Sequence, residues 1–348
     1  MPPVDMTKET IDAARLKRVR WFFVRMIGQM IVFDVLFSLP LLRWLKPPAV
    51  PRWQKVARRY KAMAVELGGV LIKLGQFVST RVDLLPPEVL HELAGLQDRV
   101  VPAPLEDVVH QVEADFGRPL ADIFPRFTAE PVGSASLAQA HAAVLSDGAS
   151  VVVKVLRPGI DVLVATDLAV MAQVCRWLNR FEHIRRRMNL DQLMEEFTAT
   201  TMRELDMVLE MENLRRFAED FDDDPHIYVP AVVEDYCARK TLTLENVAYV
   251  KINDIETLAS WGIDPRQVAD RLYDTYMKQI FVTNFIHVDP HPGNLFVRPL
   301  PSADEKTAGE TPFAPGDPPV FSRKRTFQIA FIDFGMTAEI PPRFKAAL

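Results

Sequence analysis

A lysine stands in the middle of the apolar run Val151-Val152-Val153-Lys154-Val155, and it constrains the fold more than any other residue. Four β-branched neighbours in a row read as a buried strand. A buried ammonium must find an anionic partner or lose its charge, so this strand has to lie beside a carboxylate, a phosphate or both. The strand closes a hairpin, Ala138 to Leu145, the turn Ser146-Asp147-Gly148, and Ser150 to Leu156. A lysine at a sheet edge with its head in water is the simpler alternative.

The rest of the chain supplies helices before this hairpin and after it. The apolar spacing predicts a helix from Val56 to about Val82, with Val70, Leu74 and Phe77 on one stripe and Lys73 and Gln76 on another face. Pro86 and Pro87 start a helix over Glu88 to Gln97, and Leu105 to Phe116 forms another. A long helical region, with breaks, runs from Val162 to Phe217. Strands are expected at Ala231 to Tyr236, Thr241 to Glu245 and Gln328 to Ile332. Asp264-Pro265 should cap a helix that reaches Phe285. Between Pro299 and Thr326 the composition reads as a mobile insertion.

The second strong signal is His287-Val288-Asp289-Pro290-His291-Pro292-Gly293-Asn294, followed downstream by Asp333-Phe334-Gly335 at the end of a strand. An Asp five residues before an Asn, with a second Asp on a later strand, is the set that phosphoryl transfer uses: one carboxylate for the proton, and an amide and a carboxylate for magnesium. Turn residues alone could explain each piece, since Asp-Pro and Pro-Gly are common turn dipeptides. Their order on one chain argues otherwise. A zinc site at His287 and His291 is excluded as a helical pair, because Pro290 and Pro292 prevent a regular helix.

Composition removes other classes. With 348 residues the chain is long enough for one large domain or two lobes. There are 27 prolines against 14 glycines, so a glycine-rich phosphate loop is not expected. The 41 basic and 46 acidic residues leave a net charge of −5, which gives no overall basicity for nucleic acid. Cys175 and Cys237 are too few for a disulfide framework or a thiolate zinc site. The mostly apolar stretch from Trp21 to Leu45 follows Lys17, Arg18 and Arg20 but shows no cleavage pattern, so no signal peptide is expected. Arg25 and Asp34 tax a spanning helix, and Pro40 ends it. The stretch therefore either lies in a membrane interface through Trp21, Phe22, Phe33 and Phe37 or packs on the protein's own core.

Together these motifs resemble the AarF/UbiB family of atypical protein-kinase-like proteins, over about residues 60 to 340. Lys73-Leu74-Gly75-Gln76 is similar to the family's K-x-G-Q signature, and Ser134-Ala135-Ser136-Leu137-Ala138-Gln139 to its alanine-rich loop. Glu204 and Asp206 are similar to its E-x-D pair. The resemblance implies an α+β, two-lobed protein-kinase-like fold with an added N-terminal helical extension. Its segments would be 1–50 at a membrane interface, 51–130 carrying K-x-G-Q, 131–248 as the N-lobe and 249–348 as a partial C-lobe. The family continues well past D-F-G, so the C-terminal lobe is expected to be incomplete here.

The same resemblance implies ATP or ADP with Mg2+ as cofactors. Lys154 would bind phosphates, Glu210 orient it, Asp289 act in proton transfer, and Asn294 and Asp333 hold the metal. Ser134, Ala135, Ser136, Gln139, Lys73, Gln76, Glu204 and Asp206 would surround the nucleotide. Ala135 and Ala138 in place of glycines narrow the backbone angles near the phosphates. The implied activity is Mg-dependent ATPase or phosphotransferase chemistry in ubiquinone or other isoprenoid-lipid metabolism, with cytoplasmic, peripheral membrane localisation. Implied partners are an isoprenoid lipid or membrane surface and lipid-biosynthesis enzymes, with a homo-oligomer as a further possibility. A small-molecule kinase of the aminoglycoside or choline kinase type and a non-catalytic nucleotide-gated lipid-binding scaffold are the alternatives. K-x-G-Q and E-x-D argue against the first.

Overall fold

The computed structural model describes residues 12–35, 37, 48–79, 81, 85–94, 96, 101–186, 188–247, 249–300 and 326–341. In chain order the helices are α1 (Ala13–Met30), α2 (Ala49–Leu67), α3 (Val70–Ser79), α4 (Pro87–Ala94), α5 (Leu105–Phe116) and α6 (Leu120–Ile123). Strands β1 (Arg126–Phe127), β2 (Gly133–Ser134), β3 (Ala138–Val144) and β4 (Ser150–Leu156) follow, then α7 (Ile160–Leu178), α8 (Glu182–Arg185), α9 (Leu190–Arg203) and α10 (Met207–Asp220). The chain continues through β5 (Ile227–Tyr228), β6 (Thr241–Glu245), β7 (Val250–Lys251), α11 (Ile255–Ser260) and α12 (Pro265–Lys278). It ends in β8 (Phe285–His287), β9 (Leu295–Pro299), β10 (Phe327–Phe331) and β11 (Thr337–Glu339). These elements form two compact units, one of residues 1–108, 131–139 and 156–205 and the other of residues 109–130, 140–155 and 206–348.

The first unit is helical. Helix α1 packs on α7, and α3 touches α2, α4, α7 and α9. One guanidinium organises the join: Arg15 donates to both oxygens of Asp167 on α7, at 2.8 and 2.7 Å, and to the carbonyls of Leu67 and Gly68 where α2 ends. Asp167 is fully buried, and burial pushes its carboxyl up against the opposing pull of Arg15. A bidentate arginine is the geometry that makes such burial tolerable. The inward side of α1 carries Val19, Phe23 and Ile27, all buried, while Trp21 and Val24 are each 60% exposed. The segment thus packs on the protein's own core along one face. Among the described residues no helix is long and apolar enough to cross a membrane.

The second unit holds the sheets. One runs β1-β3-β4-β6, and β4 pairs antiparallel with β6, Lys154 opposite Leu242. Another runs β5-β10-β9-β7, with β10 parallel to β5 and antiparallel to β9. Strands β11 and β8 form a short pair, Thr337 opposite His287. Phe217, Phe331 and Phe334 are wholly buried, with ring centroids 5.1 Å from Phe217 in both cases.

Several sequence expectations are corrected. The single helix from Val56 to Val82 is two, because Gly68 and Gly69 adopt φ of +64° and +66°, a left-handed conformation that breaks the helix. Its core-facing residues are Val70, Leu71, Ile72 and Gly75, with Leu74 and Phe77 only half-buried. Ala231 to Tyr236 is not a strand: Val232 makes one isolated bridge to Leu244, and Glu234–Tyr236 is a 3-10 turn. The helix capped by Asp264 ends at Lys278 and widens into a π-helical turn, Gln279–Thr283, so that Phe285 begins a strand. Helix α1 likewise passes into a π-helical turn at Ile31–Val35. Of the expected insertion, Pro299 to Thr326, residues 301–325 lie outside the described residues, as does most of 36–47.

Candidate active site

Lys154 lies on β4 between buried Val153 and Val155. Its ammonium donates to both oxygens of Glu210, at 2.7 and 2.9 Å, and lies 3.1 Å from Oδ1 of Asp333. Burial pulls the lysine's pKa down, but the carboxylates of Asp333 and Glu210 outweigh it and hold the group charged above its ordinary range. Glu210 is 3% exposed; burial pushes its carboxyl up, to about 7, against the pull of Lys154. Local sequence sets this helix. The carboxylate of Asp206 accepts from the N–H groups of Val208 and Leu209 at 3.1 Å, caps α10, and so places Glu210 in its first turn.

Asp289 and Asn294 assemble in the same unit. Asn294 Nδ2 donates to Asp289 Oδ2 at 2.7 Å, the bond that the five-residue step allows. This orientation leaves the amide oxygen of Asn294 for a cation. Its own carbonyl accepts from Ile332 N–H at 3.0 Å, which ties the loop to the chain just before Asp333. His287 is fully buried and donates through Nε2 to the carbonyl of Asp333 at 2.9 Å, its ring edge-on to Phe334 and Phe331. Asp333 itself has φ +65°, a left-handed conformation that a non-glycine residue holds only when its surroundings over-determine it. Asn213 on α10 adds to that by donating to the carbonyl of Phe334 at 3.0 Å.

The donor set fits magnesium and not zinc. Among the described residues no group of three His, Cys, Asp or Glu side chains could hold a metal. His291 turns back on its own loop and accepts from Gly293 N–H. One carboxylate and one amide oxygen, with the remaining positions open to phosphates and water, is the usual provision for Mg2+.

In the first unit the structure joins two other motifs. Lys73 on α3 pairs with Glu204 at 2.9 Å, while Gln76 donates to the carbonyl of Leu96 at 3.0 Å. The alanine-rich loop is held from below. Arg157 donates to the carbonyl of Ala135, the hydroxyl of Ser134 and the carbonyl of Val101, and Gln139 accepts from Ala103 N–H at 2.9 Å. Ser134 and Gln139 thus hold the loop, and Ser136 is buried with no hydrogen-bond partner for its hydroxyl among the described residues. Glu204 and Asp206, expected to act together, separate: one answers Lys73, the other caps α10. Sequence reading passes over Arg157, Asn213 and Gln279. Only Arg157 leaves a trace, as a charged residue directly after an apolar strand.

A strand lysine paired with a helix glutamate, a paired Asp and Asn in the loop, and a strained Asp-Phe-Gly define a protein-kinase-like core. The profile of the ABC1 atypical kinase-like domain matches residues 95–348, and the chain belongs to that family, the AarF/UbiB group. Curated relatives include proteins named "Probable protein kinase UbiB". That of Pseudomonas paraeruginosa is 36% identical over 276 residues, 76% of this chain and 52% of that protein. That of Pseudomonas putida is 38% identical over 275 residues, covering 76% and 51%. The chain spans about half the length of these relatives. Among solved structures, the complex of Rv3197 with erythromycin from Mycobacterium tuberculosis is 26% identical, with a TM-score of 0.50, over 81% of this chain and 64% of that one.

Proposed function

We propose that the protein binds ATP or ADP with Mg2+ and hydrolyses or transfers the terminal phosphoryl group, in support of ubiquinone or another isoprenoid-lipid metabolism at a membrane. The observation that carries the chemistry is the convergence of Glu210 and Asp333 on the ammonium of Lys154, beside the bonded Asp289 and Asn294. Lys154 binds phosphate oxygens, and Glu210 keeps it in place while the site is empty of nucleotide charge. Asp289 takes the proton from the attacking hydroxyl or water, with Asn294 fixing its orientation. Asn294 and Asp333 would hold the Mg2+, which supplies positive charge to the phosphate oxygens when bound.

The membrane part rests on charge. Beside Arg15, which is bonded to buried Asp167, helices α1 and α2 carry nine basic residues and one acidic residue, Glu66, in a chain of net charge −5. Exposed Trp21 and Val24 lie among them, which suits an anionic interface. The relatives' name supports the pathway.

Thermal-shift titration with ATP and ADP, with and without Mg2+, tests binding, and phosphate release tests turnover. Stabilisation that requires Mg2+ and falls in Asp333→Asn is expected. No stabilisation at millimolar nucleotide would remove the kinase-like reading, and binding without phosphate release in the presence of candidate acceptors would favour the scaffold.

A further inference from the structure

Helix α12 does not run smoothly into β8. The π-helical turn Gln279–Thr283 and left-handed Asn284 (φ +57°) intervene, and single π-turns within helices frequently mark functional positions. The consequence here is the placement of Gln279. It is fully buried, and its amide oxygen accepts the backbone N–H of His287 at 2.8 Å.

His287 in turn holds Asp333. A carbonyl oxygen only accepts, so the 2.9 Å contact from His287 Nε2 to the carbonyl of Asp333 requires the proton on Nε2, and in the neutral ring Nδ1 is then an acceptor. Nδ1 is buried, and among the described residues it has no hydrogen-bond partner. Nε2 of Gln279 is in the same position. One atom is an acceptor and the other a donor, and their side chains belong to residues already joined by a hydrogen bond. Buried polar atoms are rarely left unpaired.

We propose that Gln279 is a positioning residue for Asp333 and acts through His287. Its amide oxygen fixes the backbone of His287, and its amide nitrogen engages Nδ1 through one bridging water. The pair of contacts selects the Nε2–H tautomer, and that N–H keeps the carbonyl of Asp333 in place while the backbone holds φ +65°. The role of Asp333 as a metal ligand rests on the function proposed above; the tautomer does not.

The test uses the whole chain. Long-range nitrogen–proton correlation spectra of the ligand-free protein should show His287 as the Nε2–H tautomer, and the Nδ1–H form in the wild type would overturn the proposal. Gln279→Glu keeps an acceptor for His287 N–H but has no amide donor, and Gln279→Leu removes both. Each should lose the single tautomer and weaken Mn2+ binding in the presence of ADP about tenfold or more, the scale seen when a group supporting a metal ligand is lost. Metal-free ADP binding should be unchanged. Adding either change to Asp333→Asn should cost no further Mn2+ affinity, since both act through one residue. Wild-type tautomer and Mn2+ affinity in folded Gln279→Glu would refute the proposal, and this variant decides the matter if Gln279→Leu does not fold. Should the wild type bind no Mn2+, the metal reading fails while the spectra still decide the role of Gln279.

Discussion

Gly75→Ala is the sharpest probe of how the K-x-G-Q helix is seated. A Cβ built on Gly75 falls 2.1 Å from Cδ1 of Leu96 and 3.1 Å from Cε1 of Tyr60. Tyr60 is tethered, and Leu96, 2% exposed, can give only by turning its side chain within a buried site. The Tyr60 hydroxyl is bonded to the carbonyl of Leu71, and the peptide of Leu96 is held by Gln76, the residue next to Gly75. Overpacking of this kind costs about 1–3 kcal/mol, and alanine's better helix propensity returns up to about 1 kcal/mol. The net loss should be about 1–2 kcal/mol, or a fall in Tm of several degrees at about 2–4 °C per kcal/mol for a domain of this size. Scanning calorimetry on the wild type, Gly75→Ala, Leu96→Val and the double variant measures it. A smaller residue at 96 relieves the clash, so the double variant should lose less than the two single losses combined. Tm at or above wild type in Gly75→Ala, or strict additivity, would refute the packing argument.

Two further outcomes are expected. Burial raises the carboxyl of folded Glu210 from an ordinary 4.5 to about 7, so the native state binds the extra proton between those values. Its contribution to stability therefore falls as pH rises through that window and is flat above it. Glu210→Gln should flatten the corresponding slope of Tm against pH, and an unaltered slope would assign it to another group. At the membrane, Lys17→Glu with Arg20→Glu and Trp21→Ser changes only exposed residues of α1. At about 1 kcal/mol per basic residue near an anionic surface, sedimentation with phosphatidylserine vesicles should drop at least about tenfold. Equal binding to neutral vesicles, or no drop, would exclude α1 as the contact.

How far the site was legible follows from how local each interaction is. Asp289 and Asn294 are five residues apart, and their hydrogen bond follows from the spacing. Lys154 advertised its need for an anion by sitting among valines. Which of Glu204, Asp206 and Glu210 would answer was not contained in the spacing alone, because that depends on where α10 begins, and the cap at Asp206 decides it. The pairing of Glu204 with Lys73 spans 131 residues of chain and was not foreseen, since the family pattern placed both residues only around the nucleotide. Gln279 was hidden for another reason. A π-turn adds a residue to the helical repeat and shifts the phase of every side chain after it, so periodicity carried the helix on to Phe285. Gly68-Gly69 is the reverse case: adjacent glycines are a plain break, overridden in the reading by the apolar stripe beyond them.

The left-handed backbone of Asp333 makes the choice of replacement at this position matter more than its role alone suggests. Asparagine tolerates that conformation nearly as well as aspartate, and glycine better than either, whereas alanine does not. Asparagine therefore removes the charge and leaves the loop. Alanine also loads the peptide between Ile332 and Phe334, where His287 and Asn213 are bonded to the carbonyls of Asp333 and Phe334, and its damage would spread to the aromatic core. Glycine would release the conformational constraint while deleting the ligand. A lineage that gave up metal binding at this site could pass through asparagine or glycine with its core intact, but not readily through alanine.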